Sequence, residues 1–101
     1  MPKLYEYLGL VVFFYSNEHE PVHVHARYQG NESKIEIIIN DGKVVDIKTI
    51  SVKGKKPLPA KQQRDFEELV SKLSDEIVQK WVNYFVYHKK IIPKKIEGKL
   101  S

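Results

Sequence analysis

Hydrophobic and polar residues change their spacing halfway along the chain, from the alternation typical of strands to the longer period of a helix. A continuous apolar run at residues 8–15 predicts a strand that is buried on both faces or covered by another subunit. Alternating segments predict three further strands, at residues 22–28, 33–39 and 43–50. Residues 29–32 supply a hairpin loop and residues 40–42 a tight turn, so we expect an antiparallel meander.

Apolar residues recur at helical spacing from Phe66 to Phe85. The pattern predicts two helices, at residues 60–73 and 75–87, although it also allows one bent helix. The helices are expected to pack on one face of the sheet, which carries Val24, Ile35, Ile37, Val45 and Ile47. Trp81 should be mostly buried against that face. The sequence therefore predicts an α+β fold with about four strands and two C-terminal helices.

Aromatic residues near the end of the helical region admit two interpretations. Trp81, Tyr84, Phe85 and Tyr87 lie close together in the sequence. We interpret them as core residues, because a platform that stacks nucleic-acid bases needs rings exposed to solvent.

Composition limits the class of protein. The 101 residues fit one domain, and a hydrophobic share of 42% with a charged share of 30% is compatible with a folded domain. The chain has no cysteine, so it has neither disulfides nor a thiolate nucleophile, which indicates the cytoplasm as its compartment. No signal peptide is recognisable, and the apolar run is too short to span a bilayer. We expect no cofactor and no membrane partner.

Positive charge is concentrated in two segments. Lys and Arg number 17 against 13 Asp and Glu, for a formal net charge of +4. The candidate nucleic-acid-binding residues are Lys53, Lys55, Lys56, Lys89, Lys90, Lys94 and Lys95. Lys is a mobile point charge, so these residues should contact phosphates and not base edges. The alternative is that these lysines belong to a solvated linker and a frayed chain end. We divide the chain into one domain at residues 1–88 and a basic tail at residues 89–101.

The segment His23-Val24-His25-Ala26-Arg27 brings proton-active and cationic side chains onto one predicted strand. Because side chains of a strand alternate, His23, His25 and Arg27 share one face, which we expect to be exposed to solvent. A neutral imidazole can act as a donor, an acceptor, a base or a metal ligand. This face is therefore the first candidate site.

The predicted turns imply a register for the strands around these residues. With a loop at residues 29–32, Glu36 lies opposite His25. With a turn at residues 40–42, Asp46 lies opposite Glu36. The result is a transverse row of His25, Glu36 and Asp46. The alternative is a mixed-charge face that is simply solvated.

Four short motifs give the chain a family resemblance. They lie at residues 13–18, 20–25, 34–36 and 80–85, and their sequences are Phe-Phe-Tyr-Ser-Asn-Glu, Glu-Pro-Val-His-Val-His, Lys-Ile-Glu and Lys-Trp-Val-Asn-Tyr-Phe. With these motifs the chain resembles, over residues 8–85, the small bacterial family known as domain of unknown function 4160. Two departures are mild: Val22 replaces the usual second Pro of the family pattern, and Ala26 the usual Val.

The resemblance implies an association and no established activity. Members of this family are associated with toxin–antitoxin gene pairs, next to another small domain of unknown function, 2442. A cognate small protein encoded nearby and RNA are therefore the partners that the resemblance implies. The basic segment after Tyr87 lies outside the family pattern.

Two hypotheses of different classes follow from these residues. In the first, the chain is a toxin-like, metal-independent ribonuclease in which His23 and His25 act as general base and acid. Glu36 then orients His25, and Arg27 and Lys34 hold the phosphate. In the second, the sheet face and the basic segments bind a cognate protein or nucleic acid without catalysis.

A metal site is chemically allowed on the same face. It would take His23, His25 and either Glu36 or Asp46 as ligands. Two histidines separated by one residue, without further fixed ligands, are a weak signal for such a site. We therefore predict no metal ligand.

Overall fold

The computed structural model describes residues 2–16 and 21–100, which form six strands and one helix. In chain order the elements are β1 (Lys3–Tyr7), β2 (Leu10–Phe13), β3 (His23–Tyr28), β4 (Asn31–Asn40), β5 (Lys43–Ser51), α1 (Ala60–Phe85) and β6 (Lys94–Ile96). The strands form one sheet in the order β5-β4-β3-β2-β1-β6. β6 lies parallel to β1, whereas the other neighbouring pairs are antiparallel. The predicted α+β class is confirmed, but the sheet has more strands than predicted.

Two-residue turns connect three of the antiparallel pairs in the described chain. The turn residues are Leu8-Gly9, Gln29-Gly30 and Asp41-Gly42, and all have positive φ. Positive φ at both central residues defines the type I′ turn, whose twist matches the twist of paired strands. At Gln29 and Gly30 the φ values are 47° and 84°, and glycine reaches the second of these without a steric penalty.

The apolar run at residues 8–15 does not form the single strand that its composition predicts. Leu8 and Gly9 turn the chain between β1 and β2, so only Leu10–Phe13 of the run is strand. Leu8 is an apolar residue in a turn, and its side chain packs against the core from there. Hydrophobicity alone therefore conceals the turn.

The turn at Gln29–Gly30 changes the predicted pairing of β3 with β4. It is shorter than the predicted loop, so that Lys34 and not Glu36 lies opposite His25. Glu36 lies opposite His23. A shift of two residues leaves every side chain on its predicted face and changes its partner across the strands.

A β-bulge changes the pairing of β4 with β5. Ile38 lies opposite Asp46 and Ile39 opposite Val44, so Val45 is an extra residue between the two pairs. Val45 is 58% exposed. Its predicted place on the face that packs against the helix is therefore wrong.

The two register changes separate the members of the predicted transverse row. Glu36 lies opposite Lys48 on β5, whereas Asp46 lies opposite Ile38. The predicted row of His25, Glu36 and Asp46 is wrong, because it assumed a longer loop before β4 and no bulge in β5.

The helix α1 packs on β3, β4 and β5. Its buried residues are Asp65, Phe66, Leu69, Val70, Ile77 and Trp81. A kink at Leu73, with φ −114° and ψ 21°, bends the helix at the position where a break was predicted. The prediction of two separate helices is therefore wrong, and the alternative of one bent helix is confirmed. Among residues 2–16 and 21–100, no helix combines the length and the apolar character needed to cross a membrane.

The aromatic residues of the C-terminal half differ in their exposure. Trp81 is 4% exposed, which confirms its predicted burial. Tyr84 and Phe85 are half-buried, and Tyr87 is 61% exposed. The interpretation of the whole cluster as core is therefore wrong for Tyr87, which lies beyond the end of α1.

The C-terminal segment completes one edge of the sheet. Lys94–Ile96 pairs in parallel with Tyr5–Tyr7 of β1. The backbone N–H of Leu100 donates to the hydroxyl of Tyr7, at 2.9 Å. Ile91, Ile96 and Leu100 pack against the core. The segment that the sequence assigns to a basic tail thus contains a strand, while the domain boundary at residue 88 stays a prediction.

We expect a chain that ends at His88 to be less stable than the full chain, because it loses β6 and three apolar side chains. Complete burial of such a side chain contributes about 1.5–3 kcal/mol, so loss of three partly buried ones should cost about 2 kcal/mol or more. Urea unfolding of both chains measures this difference. Equal unfolding midpoints would show that β6 does not stabilise the fold.

A second prediction concerns alkaline pH. The Tyr5 hydroxyl donates to the Glu76 carboxylate, and burial together with this negative partner raises the pKa of Tyr5. The folded state therefore holds the proton more tightly than the unfolded chain. The contribution of the protonated Tyr5 hydroxyl to the free energy of unfolding is complete below the ordinary tyrosine pKa of about 10. As the pH rises above that value, the contribution is lost by at most about 1.4 kcal/mol per pH unit. In urea unfolding at a series of pH values, Tyr5→Phe should show a smaller alkaline loss than the wild type, whereas Tyr87→Phe should match the wild type.

Candidate functional site

Strand alternation assigns the histidines to the sheet face opposite the core, and the ring of His23, the first residue of β3, still reaches Trp81 of α1. Val24 and Ala26 of β3 belong to the hydrophobic core. Strand alternation therefore places His23, His25 and Arg27 on the opposite face, as the sequence predicts. Across the strands, Phe13 on β2 and Lys34 on β4 lie on either side of His25.

The histidines are buried, although they do not belong to the hydrophobic core. His23 is 7% exposed and His25 is 3% exposed. The Phe13 ring stacks on the His25 ring at 5.5 Å, and the Tyr15 ring meets it edge-on at 4.5 Å. The expectation of solvent-exposed histidines is therefore wrong, because these aromatic side chains cover the ring of His25.

One buried carboxylate joins the polar residues of this face. Glu32 is 1% exposed. Its oxygens accept hydrogen bonds from the Tyr15 hydroxyl at 3.0 Å and from Nη2 of Arg27 at 3.3 Å. Nδ1 of His25 lies 3.1 Å from the same carboxylate. We call Glu32, His25, Tyr15 and Arg27 the Glu32 cluster; its three donors offset the cost of burying the charge of Glu32.

The contact with Glu32 fixes how His25 can act chemically. An ionised carboxylate accepts and cannot donate, so Nδ1 of His25 carries a proton and donates it to Glu32. Acid–base chemistry by this ring then proceeds through Nε2. The same contact fixes the orientation of the ring, as carboxylate partners do for metal-bound histidines.

Tyr15 remains a hydrogen-bond donor over a wide range of pH. Burial raises the pKa of Tyr15, and the hydrogen bond to the negative Glu32 raises it further, while Arg27 acts in the opposite direction. A protonated hydroxyl therefore faces Glu32 at neutral pH. Arg27 also reaches the oxygen of Tyr15, at 3.4 Å, which links the three side chains into one network.

His23 lies next to the Glu32 cluster but has its own partners. Its Nδ1 donates to the backbone carbonyl of Pro21 at 2.7 Å. Its ring contacts the rings of His25 and Trp81, with centroids 5.3 Å away in both cases. Glu36, predicted to orient His25, lies opposite His23. The partner of His25 is thus corrected from Glu36 to Glu32.

The predicted phosphate-binding residues lie at the rim of this site. The Arg27 side chain is 39% exposed, and its guanidinium lies over the Phe13 ring at 5.1 Å. Lys34 is half-buried and directly opposite His25. The site is therefore buried at Glu32 and His25 and open at Arg27, which brings positive charge to its entrance.

Only one of the two basic segments lies near the site. The backbone N–H of Glu32 donates to the carbonyl of Lys56 at 2.9 Å, so the loop with Lys53, Lys55 and Lys56 passes beside the start of β4. Lys94 and Lys95 lie on β6, at the far edge of the sheet from β5. Lys89 and Lys90 follow the end of α1. The structure thus places the predicted nucleic-acid-binding residues in three locations: the loop before α1, the segment after α1, and β6.

Sequence reasoning missed Glu32, Tyr15 and Phe13. It assigned Glu32 to a loop and the other two to a uniformly buried strand. The signal for Glu32 is the Gln29-Gly30 pair, because a two-residue turn there starts β4 early and brings Glu32 opposite Arg27. The contact of Tyr15 with Glu32 joins residues far apart in the sequence and has no local signal.

Metal ligation finds no support in the described part of the chain. Within residues 2–16 and 21–100, no three His, Asp or Glu side chains are grouped so that they could hold a metal ion. The version of the alternative that uses Asp46 also loses its geometry with the corrected register, since Asp46 lies opposite Ile38, whereas Glu36 lies opposite His23.

Comparison with known proteins identifies one family. A family model described as Domain of unknown function (DUF4160) matches residues 9–82, which include the whole Glu32 cluster and exclude β1 and β6. Residues 17, 18 and 20, which belong to two of the family motifs, lie outside the described residues. No curated protein and no solved structure matches the chain.

The Glu32 cluster generates a prediction on stability. Glu32→Gln keeps the shape of the side chain but removes the charge, and it turns an amide N–H toward groups that are themselves donors. Hydrogen bonds to charged groups contribute about 1.5–3 kcal/mol each, so we expect a loss of about 2 kcal/mol or more in the free energy of unfolding. Glu36→Gln, a half-buried neighbour on the same strand, is the matched control and should cost much less. Equal losses in the two variants would contradict the central role of Glu32.

Proposed function

The chain belongs to the DUF4160 family, a domain of unknown function, and we propose that it is a metal-independent ribonuclease. The observation that supports this proposal is the hydrogen bond between Glu32 and Nδ1 of His25, with a second histidine in ring contact. RNA cleavage without a metal needs a proton acceptor, a proton donor and a positive group for the phosphate. The face of β3 supplies all three.

In this mechanism His25 acts as the base. Its Nε2 takes the proton of the ribose 2′-hydroxyl while the 2′-oxygen attacks the adjacent phosphorus. His23, in its protonated form, gives a proton to the 5′-oxygen as the phosphorus–oxygen bond breaks. The products are a 2′,3′-cyclic phosphate and a 5′-hydroxyl. Glu32 stabilises the positive charge that His25 gains.

Arg27 and Lys34 neutralise the phosphate during this reaction. Arg27 is the exposed member of the Glu32 cluster, so a phosphate meets the cluster there first. The planar guanidinium suits phosphate oxygens better than a point charge does. Lys53, Lys55 and Lys56 lie on the loop beside Glu32 and extend the positive surface for the neighbouring phosphates.

A cellular role follows from the family resemblance as part of the proposal. We place the chain as the toxin component of a toxin–antitoxin pair in the cytoplasm. Its cognate partner would be a small protein encoded nearby, of the type of domain of unknown function 2442. Such a partner would restrain the activity by covering the entrance at Arg27.

A second candidate function is that of a non-catalytic regulator that binds a cognate protein or nucleic acid. The observation in its favour is the low exposure of His23 and His25, at 7% and 3%. Histidines buried in a satisfied polar network also serve to fix a structure, without any chemistry. Cleavage assays separate the two candidates.

We expect the purified chain to cleave single-stranded RNA in the presence of a chelator and to leave 2′,3′-cyclic phosphate ends. His25→Gln should lower the rate by about a hundredfold or more, since general acid–base catalysis contributes about 10²–10⁴. Arg27→Gln should lower it as well, whereas the matched change at the other arginine, Arg64→Gln on the exposed side of α1, should not. Circular dichroism confirms that each variant is folded.

The ribonuclease proposal fails if total RNA stays intact across the pH range in which histidine titrates. It also fails if cleavage persists unchanged in folded His25→Gln. In the first case the binding function remains as the candidate, and co-expression with the neighbouring gene tests for a complex.

A further inference from the structure

A groove lies at the C-terminal end of α1, away from the Glu32 cluster. Its volume is about 410 Å³, and it is lined by Ser16, Tyr84, Phe85 and His88. Clefts of roughly 300–1,000 Å³ with mostly apolar walls and a few polar groups are typical of small-molecule sites. Here two aromatic rings supply the apolar wall, while a hydroxyl and an imidazole supply the polar groups.

A continuous series of ring contacts connects this groove with the proposed catalytic histidines. The rings of Phe85 and Trp81 have centroids 4.2 Å apart. Trp81 in turn contacts His23 at 5.3 Å, and His23 contacts His25 at 5.3 Å. Trp81 and His23, the middle members of this series, are buried, so the groove is joined to the catalytic histidines by packed side chains.

The charge around the groove suits a polyanion. His88 lines it, and Lys89 and Lys90 follow directly, all three exposed. Backbone carbonyls at the end of a helix carry partial negative charge, which disfavours an anion. The two lysines offset that effect at the position where a phosphate would pass.

We propose that this groove binds one unpaired nucleobase of single-stranded RNA, with His88, Lys89 and Lys90 near its phosphates. This inference rests on the proposed function and names its substrate class. A base in a duplex has both faces stacked and cannot enter the groove, whereas an unpaired base can stack on the half-buried Tyr84. Stacking tolerates every base, so the groove should select strandedness more than sequence.

The test measures binding separately from cleavage. A short single-stranded oligouridylate with 2′-O-methyl groups lacks the attacking hydroxyl, so it binds without being cut. Trp81 is the single tryptophan of the chain and contacts Phe85, which makes its fluorescence a reporter of an occupied groove. We expect saturable quenching by this oligonucleotide, and much weaker quenching by an abasic strand of the same length or by a duplex.

Variants at Tyr84 separate stacking from folding. Tyr84→Phe keeps the ring and should keep the wild-type affinity, whereas Tyr84→Leu keeps apolar packing and should bind about tenfold more weakly. Tyr28→Leu, at a half-buried tyrosine of β3 that is not among the groove-lining residues, is the matched control and should bind like the wild type. Thermal unfolding verifies that the three variants are folded.

Equal affinity for the abasic strand, for the duplex or in folded Tyr84→Leu would overturn the inference. Binding that depends on Tyr84, in a chain that cleaves no RNA, would leave this inference in place and refute the proposed catalysis. Cleavage that depends on His25, with no effect of Tyr84→Leu on binding, would support the proposed catalysis and overturn this inference.

Discussion

The buried carboxylate of Glu32 is the constraint on which the rest of the site depends. It is 1% exposed, and the structure satisfies it with two donors from β3, His25 and Arg27, and with the hydroxyl of Tyr15. An unpaired buried charge would be strongly destabilising, so the fold depends on these partners together. The chemistry available to His25 is therefore a consequence of how the fold buries Glu32.

Turn length determines whether Glu32 reaches that position. Because the Gln29–Gly30 turn has only two residues, β4 begins at Asn31 and Glu32 lies opposite Arg27. A longer loop would move Glu32 out of the sheet and bring Lys34 to its place opposite Arg27. The predicted face of each strand was correct because side chains alternate with a period of two residues, and a shift of two residues preserves that alternation.

Local patterns in the sequence thus predict the strands β3 to β5, the helical region and the face shared by His23, His25 and Arg27. They do not predict β1 or β6, because a three-residue parallel strand such as Lys94–Ile96 forms only against a partner from the other end of the chain. The contact of Tyr15 with Glu32 also joins residues far apart in the sequence, so local patterns do not predict it. A site assembled from cross-strand contacts needs the register, and the register depends on turn and bulge details that composition does not show.

The exposure of the residues in the Glu32 cluster determines where a phosphate would enter it. Tyr15 and His25 lie 3.0 Å and 3.1 Å from Glu32, whereas Arg27 lies at 3.3 Å and is the exposed partner. Arg27, whose side chain is 39% exposed, is therefore the partner that can turn toward a phosphate in solvent. If it does so to meet a phosphate, Tyr15 and His25 remain as donors to Glu32. The carboxylate of Glu32 then still accepts from Nδ1 of His25, so the ring keeps its orientation while a phosphate binds.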